Sequence, residues 1–222
     1  MESLIALEGD GFVMIAADVT NARSVVVMKD DMDKIQVLDD HKLLAAAGSP
    51  GDVSKFTEHV TKDLRLYRLR SGMQMSTAAT AHYTRGELAK FLRKAPYQCN
   101  LLLAGFDKEQ EISGTPCSTA LYSIDYLGTM HKLRFCAEGY AQYFVLSTLD
   151  RYWKKNLSEK DALVVLGQAI AEVQKRLVIN QPRFCIKIVD KNGVRVLRSA
   201  DVLDKALSSS DGAPPTAVSV SA

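Results

Sequence analysis

The sequence predicts an α+β fold, a four-layer α-β-β-α sandwich with two sheets face to face and a helix layer outside each. Three observations carry that reading. The strand-like runs are short and apolar without alternation, as in Phe12 to Ala17 (FVMIAA), which implies strands covered on both faces. The early runs are joined by short polar turns, which favours antiparallel pairing. The elements then recur as strands, two helices, strands, two helices, strands, leaving the helix pairs to cover the outer faces of both sheets.

Taken in order, Met1 to Asp18 reads as two strands joined by a tight Gly9-Asp10-Gly11 turn. Ser24 to Met28, Ile35 to Leu38 and Leu43 to Ala47 continue the strand pattern, with turns such as Lys29-Asp30-Asp31 between them. Gly48-Ser49-Pro50-Gly51-Asp52 breaks the strands, and Asp52 is a candidate helix cap. Val53, Phe56, Val60, Leu64 and Tyr67 recur at helical spacing until Ser71-Gly72. A second helix is expected from Ser76 to Lys94, with Ala79, Tyr83, Leu88 and Phe91 inward and a stop at Ala95-Pro96. Strands return at Tyr97 to Phe106, Thr119 to Ile124 and Met130 to Phe135, and the polar loop Lys108 to Ser118 is placed at the surface.

Two further helices follow. The first covers Ala141 to Trp153 and is expected to bury Phe144, Leu146 and Leu149, and the next opens on Ser158-Glu159-Lys160-Asp161, close to a capping box. Leu163, Leu166, Ile170, Val173 and Leu177 form the clearest amphipathic stripe in the chain. Phe184 to Val189 and Val194 to Leu197 form a hairpin around Asn192-Gly193. The Ser-, Ala- and Pro-rich tail, Ser208 to Ala222, is expected to be disordered. The division expected is a sandwich domain over 1–200 and a C-terminal extension over 201–222.

The chain has 222 residues, 47% of them hydrophobic, and a net charge of +2, enough for a sizeable core and without the basic excess of a nucleic-acid or anionic-membrane binder. Arg65, Arg68, Arg70, Lys154 and Lys155 read as solvated helix faces. Cys99, Cys117, Cys136 and Cys185 form no CxxC pair, so free thiols in a reducing compartment are expected rather than zinc or disulfides. No signal-peptide pattern and no run of membrane-spanning length is present, so a soluble intracellular protein is expected. His41, His59, His82 and His131 lack metal-ligand spacing and read as surface or packing residues. A Cys136–His131 pair would point to opposite faces of one strand. Gly48-Ser49-Pro50-Gly51 lacks the lysine of a phosphate loop. No metal or cofactor is expected.

GFVMIAAD (Gly11 to Asp18), DKIQVLDD (Asp33 to Asp40) with LLAAAGSPGD (Leu43 to Asp52), NLLLAGFD (Asn100 to Asp107), LDRYW (Leu149 to Trp153) and VDKNGV (Val189 to Val194) occur in an order that resembles the beta subunits of the 20S proteasome. The resemblance covers nearly all of Met1 to Val196 and implies the N-terminal-nucleophile hydrolase fold. MKDDMDK, NLLLAGFD and LDRY are similar to the non-catalytic member at the fourth ring position. The loop around Glu109 to Ser118 and the long tail depart from that pattern.

In this family, active members attack the peptide carbonyl with the hydroxyl of an N-terminal threonine whose free α-amine takes the proton. By motif, the family's aspartate and lysine fall on Asp18 and Lys34, which are retained. The nucleophile position falls at Met1 to Ser3, without threonine. The supporting serine falls on Tyr140, and the later aspartate and serine on Leu177 and Asn180, so these positions are lost. Gly114-Thr115 and Gly128-Thr129, the Gly-Thr pairs at which cleavage could expose a threonine, lie mid-domain. Asp18 and Lys34 then read as a structural ion pair.

The resemblance therefore implies a chain that is not itself an enzyme and that supports a proteolytic chamber in ubiquitin-dependent degradation. Its implied partners are other alpha and beta subunits, including a neighbouring chymotrypsin-like beta subunit, in cytoplasm and nucleus. The alternative is a self-sufficient amidohydrolase using a processed N-terminal Ser3.

Overall fold

The computed structural model describes residues 2–23, 26–108 and 117–198. In chain order the elements are β1 (Ser3–Glu8), β2 (Phe12–Asp18), β3 (Asn21–Arg23), β4 (Val26–Lys29), β5 (Ile35–Asp39), β6 (Lys42–Gly48), α1 (Pro50–Ser71), α2 (Thr77–Phe91), β7 (Cys99–Asp107), β8 (Ser118–Ile124), β9 (Met130–Leu133), β10 (Phe135–Gly139), α3 (Gln142–Tyr152), α4 (Glu159–Arg176), β11 (Phe184–Asp190) and β12 (Gly193–Arg198). One sheet has the order β10-β1-β2-β11-β12 and the other β5-β6-β7-β8-β9; β3 and β4 pair separately. All pairings are antiparallel.

The unbroken apolar runs are explained by three separate cores. Along β2, Met14 and Ala16 join the layer under α3 and α4, while Val13, Ile15 and Ala17 join the layer between the sheets. β1 divides in the same way, Ile5 and Leu7 outward and Leu4 and Ala6 inward. In the second sheet, Leu44, Leu101 and Leu103 face α1 and α2, and Leu43, Ala45, Leu102 and Ala104 face the first sheet. Period-2 side-chain alternation persists, but neither face meets water, so it leaves no mark in the sequence. This is the expected α-β-β-α sandwich.

Helix ends follow local chemistry, with some differences from the sequence reading. α1 opens after Ser49 with Pro50 in its first turn, and Asp52 lies inside the helix, where its carboxylate accepts the Gln98 N–H. Gly72, at φ 70°, ends α1 with its N–H on the Arg68 carbonyl. The Ser76 hydroxyl caps α2 by accepting the Ala79 N–H. Ala79 itself is exposed; the buried face of α2 carries Thr77, Thr80, Ala81, Thr84, Glu87 and Leu88. Its threonine hydroxyls are all satisfied, Thr80 and Thr84 donating to the carbonyls four residues back and Thr77 to the Asp107 carboxylate. On α3 the buried residues are Val145 and Leu149; Phe144 is half-buried, and Leu146, expected inward, is 40% exposed.

Two strand expectations are corrected. Met130 to Phe135 is not one strand: β9 ends at Leu133 in the second sheet and β10 begins at Phe135 in the first, so the chain changes sheets at Arg134. His131 and Cys136 are thereby separated by belonging to different sheets. The expected buried strand at Ser24 to Met28 is instead β4, exposed throughout its length. The loop expected over Lys108 to Ser118 and the tail over Ser208 to Ala222 lie largely or wholly outside the described residues.

Candidate functional site

The candidate site lies at the head of β1, an interior strand with Ser3 opposite Gly139 of β10 and Leu4 opposite Ala17 of β2. The Glu2 carbonyl accepts the Tyr140 N–H at 2.9 Å. Gly139 has φ 72°, and a Cβ there would come within 2.1 Å of the Glu2 carbonyl oxygen, so the close approach of β10 to the strand head requires glycine.

Asp18 ends β2 and is fully buried. One carboxylate oxygen accepts the Ser3 N–H at 2.8 Å and the other the Lys34 ammonium at 2.7 Å. Lys34 precedes β5 and also donates to the Thr20 carbonyl at 2.8 Å. The pair therefore ties the first sheet to the second while satisfying two backbone groups. Buried opposite charges are tolerated when they are matched and hydrogen-bonded in this way.

Glu2, Gly48, Asn100, Gly139, Tyr140 and Tyr143 help line an open cleft of about 420 Å³ beside the strand head. A free backbone N–H at such a place could stabilise the oxyanion of an acyl-transfer reaction. Here the Gly48 N–H is taken by the Glu2 carboxylate at 2.5 Å. Burial pushes the Glu2 carboxyl above its ordinary value, opposed by the Gly48 N–H and the nearby Lys34 charge. Ser3 offers no nucleophile to the cleft: it is fully buried, and its hydroxyl has no hydrogen-bond partner among the described residues.

Asp18 and Lys34, expected by motif to stand together, are thus paired at the strand head. Met1 lies outside the described residues. Tyr140 lines the cleft and reaches Glu2 through its backbone. Leu177 caps α4 and packs against the outer core of the first sheet, and Asn180 is exposed beyond it. Among the described residues, no hydrogen bond joins Leu177 or Asn180 to the Asp18–Lys34 pair.

Sequence reasoning missed two acids here. Glu2 carried no signal, because its role depends on the return of β6 to the strand head. Glu138 lies in an otherwise apolar stretch, FCAEG, and that was its available signal. It is buried on β10 and accepts from Ser123 Oγ at 2.9 Å and Asn100 Nδ2 at 3.1 Å. Burial pushes its carboxyl up despite those bonds.

The family model for the proteasome subunit matches residues 2–189. The chain belongs to the proteasome subunit family. Its four-layer sandwich is the N-terminal-nucleophile hydrolase fold of that family. Among its relatives is proteasome subunit beta type-2-B of Arabidopsis thaliana, 48% identical over 195 residues, spanning 88% of this chain and 94% of the relative. Proteasome subunit beta type-2 of Dictyostelium discoideum is 44% identical over 197 residues, 89% of this chain and 97% of its own. Proteasome subunit beta type-4 of Saccharomyces cerevisiae is 33% identical over 196 residues, 88% and 96% respectively. The resemblance in the short motifs therefore extends through nearly the whole sandwich of this proteasome-family chain.

Proposed function

We propose that this chain is a non-catalytic structural subunit of the 20S proteasome beta ring. In this reading it builds the wall of the proteolytic chamber and supports a neighbouring chymotrypsin-like beta subunit, working in cytoplasm and nucleus. The observation that carries the proposal is the head of β1. Glu2 places a carboxylate on the Gly48 N–H, and Ser3 holds its hydroxyl out of solvent. An N-terminal-nucleophile reaction needs a hydroxyl beside a free amine and an open oxyanion donor. The similarity to beta type-2 and beta type-4 subunits supports assembly with unlike alpha and beta subunits.

The Ser3 alternative requires cleavage between Glu2 and Ser3. The Ser3 nitrogen is held on Asp18, and its hydroxyl is buried within a strand paired on both sides. Cleavage would also remove Glu2 from Gly48, so the route requires rearrangement of the whole strand head.

The test is to isolate the assembled particle through a tag on this chain and treat it with an electrophilic peptide that captures N-terminal threonine or serine. Expected are co-purification of unlike alpha and beta subunits and covalent labelling of other subunits, with none on this one. An adduct on a newly exposed serine or threonine of this chain would overturn the proposal.

A further inference from the structure

On the outer helix layer of the second sheet, far from β1 in sequence, the fold gathers ligand atoms from two helices. His59 and Asp63 stand one turn apart on α1, and Glu87 comes from α2. His59 Nε2 is 3.3 Å from Asp63 Oδ2 and 3.1 Å from Glu87 Oε2, and the three ligand atoms lie within 4.8 Å of one another. We propose that His59, Asp63 and Glu87 form a binding site for a divalent transition metal of the zinc class, clamping α1 to α2.

The spacing suits such an ion. Ligands bound to zinc at about 2.0–2.1 Å in a tetrahedron stand about 3.3 Å apart, close to both distances from the imidazole nitrogen. One imidazole and two carboxylates also suit zinc, manganese or cobalt better than an all-oxygen calcium site would.

The surroundings hold the carboxylates in place. Tyr83 donates its phenol to Asp63 Oδ2, and the Lys90 ammonium pairs with the other oxygen of Glu87, leaving Oε2 turned to the histidine. Partners of this kind fix the orientation of metal-binding groups. Glu87 is buried, 5% exposed, whereas the His59 and Asp63 side chains are 39% and 32% exposed. One side of the trio therefore opens to solvent, giving an ion a path in and room for water as a further ligand. With neutral imidazole, two carboxylates and one ammonium leave the group a net negative charge, which a cation would offset.

The competing arrangement is a metal-free staple in which a protonated His59 bridges the two carboxylates. The two are separated with the full-length chain, stripped with chelator and carrying Cys117→Ser to remove an exposed thiol that could itself hold metal. Cobalt(II) is titrated first and followed by its visible absorption; zinc is then followed by thermal melting. Expected are saturation near one equivalent of cobalt with the intense bands of low coordination number. Zinc at about 100-fold over its Kd should raise Tm by about 5–10 °C.

His59→Gln and Asp63→Asn should each weaken binding at least about 10-fold, while His131→Gln leaves it unchanged. Absence of cobalt binding, or binding that survives both variants, would overturn the proposal. A melting temperature that responds to acidification but not to zinc would assign the trio to the metal-free staple. Neither result bears on whether the strand head is catalytic, because the two sites share no residue.

Discussion

Replacing Lys34 with methionine should be among the most damaging single changes at the strand head. The substitution keeps much of the side-chain volume but leaves the fully buried Asp18 carboxylate without its cation and the Thr20 carbonyl without its donor. Removing one member of a buried ion pair costs about 3–5 kcal/mol. For a domain of this size that corresponds to a fall in Tm of about 6–20 °C. The assay is a double-mutant cycle in urea with Lys34→Met, Asp18→Asn and the double variant. Asparagine can still accept the Ser3 N–H without carrying a charge, so the double variant should recover about 2 kcal/mol relative to Lys34→Met alone. The reasoning fails if Lys34→Met costs less than about 1 kcal/mol, or if the two single losses add within about 0.5 kcal/mol. In an assembled particle the same variant should lower yield without removing any one cleavage specificity selectively.

Three further outcomes follow from burial. Glu138 has its carboxyl pushed up by burial, so its contribution to stability is fully present below the unfolded carboxylate value of about 4.3 and is lost as pH rises through the folded value. Glu138→Gln should therefore gain on the wild type between about pH 4.5 and 7.5 in urea melts, and a constant gap would refute this. Burial pushes the Cys99 thiol up to about 12 and the Cys136 thiol up to about 11, so iodoacetamide at about pH 8 should label exposed Cys117 in the native chain and reach those two only after unfolding, as read by peptide mass spectrometry. Leu102→Ala opens a hole between the sheets and should cost about 2–5 kcal/mol by chemical denaturation, whereas a loss under about 1 kcal/mol would mean that the layers close over it.

Much of the architecture could be read from residues because its causes are local. Glycine turns, serine caps and the helical stripe of α4 act over a few positions, and each lies near where its chemistry suggests. The sheet change at Arg134 was hidden because both flanking strands carry apolar residues and no glycine or proline marks the crossing. α2 misled because its inward face is built from threonines, whose hydroxyls are satisfied by its own carbonyls and by Asp107. At the strand head, Asp18 and Lys34 were legible by motif, but the Glu2 contact to Gly48 was not. It joins residues 46 apart through the return of β6. The His59 trio was half visible, since His59 and Asp63 have helical spacing, but Glu87 comes from the next helix and the set exists only once α1 and α2 lie together.

The placement of β1 also bears on how the molecule is made. β1 precedes the other strands of its sheet in the chain, yet it lies inside that sheet, and only β2 follows promptly. Its other ladder waits for β10, at residues 135–139, and the far side of β2 waits longer still for β11. A nascent chain stopped before β10 would thus present a largely apolar strand with one edge unpaired, the kind of surface that invites aggregation. Pairings of such sequence separation also close slowly. The first sheet is consequently completed only late in synthesis, and its apolar edge stays open from the emergence of β2 until that of β11.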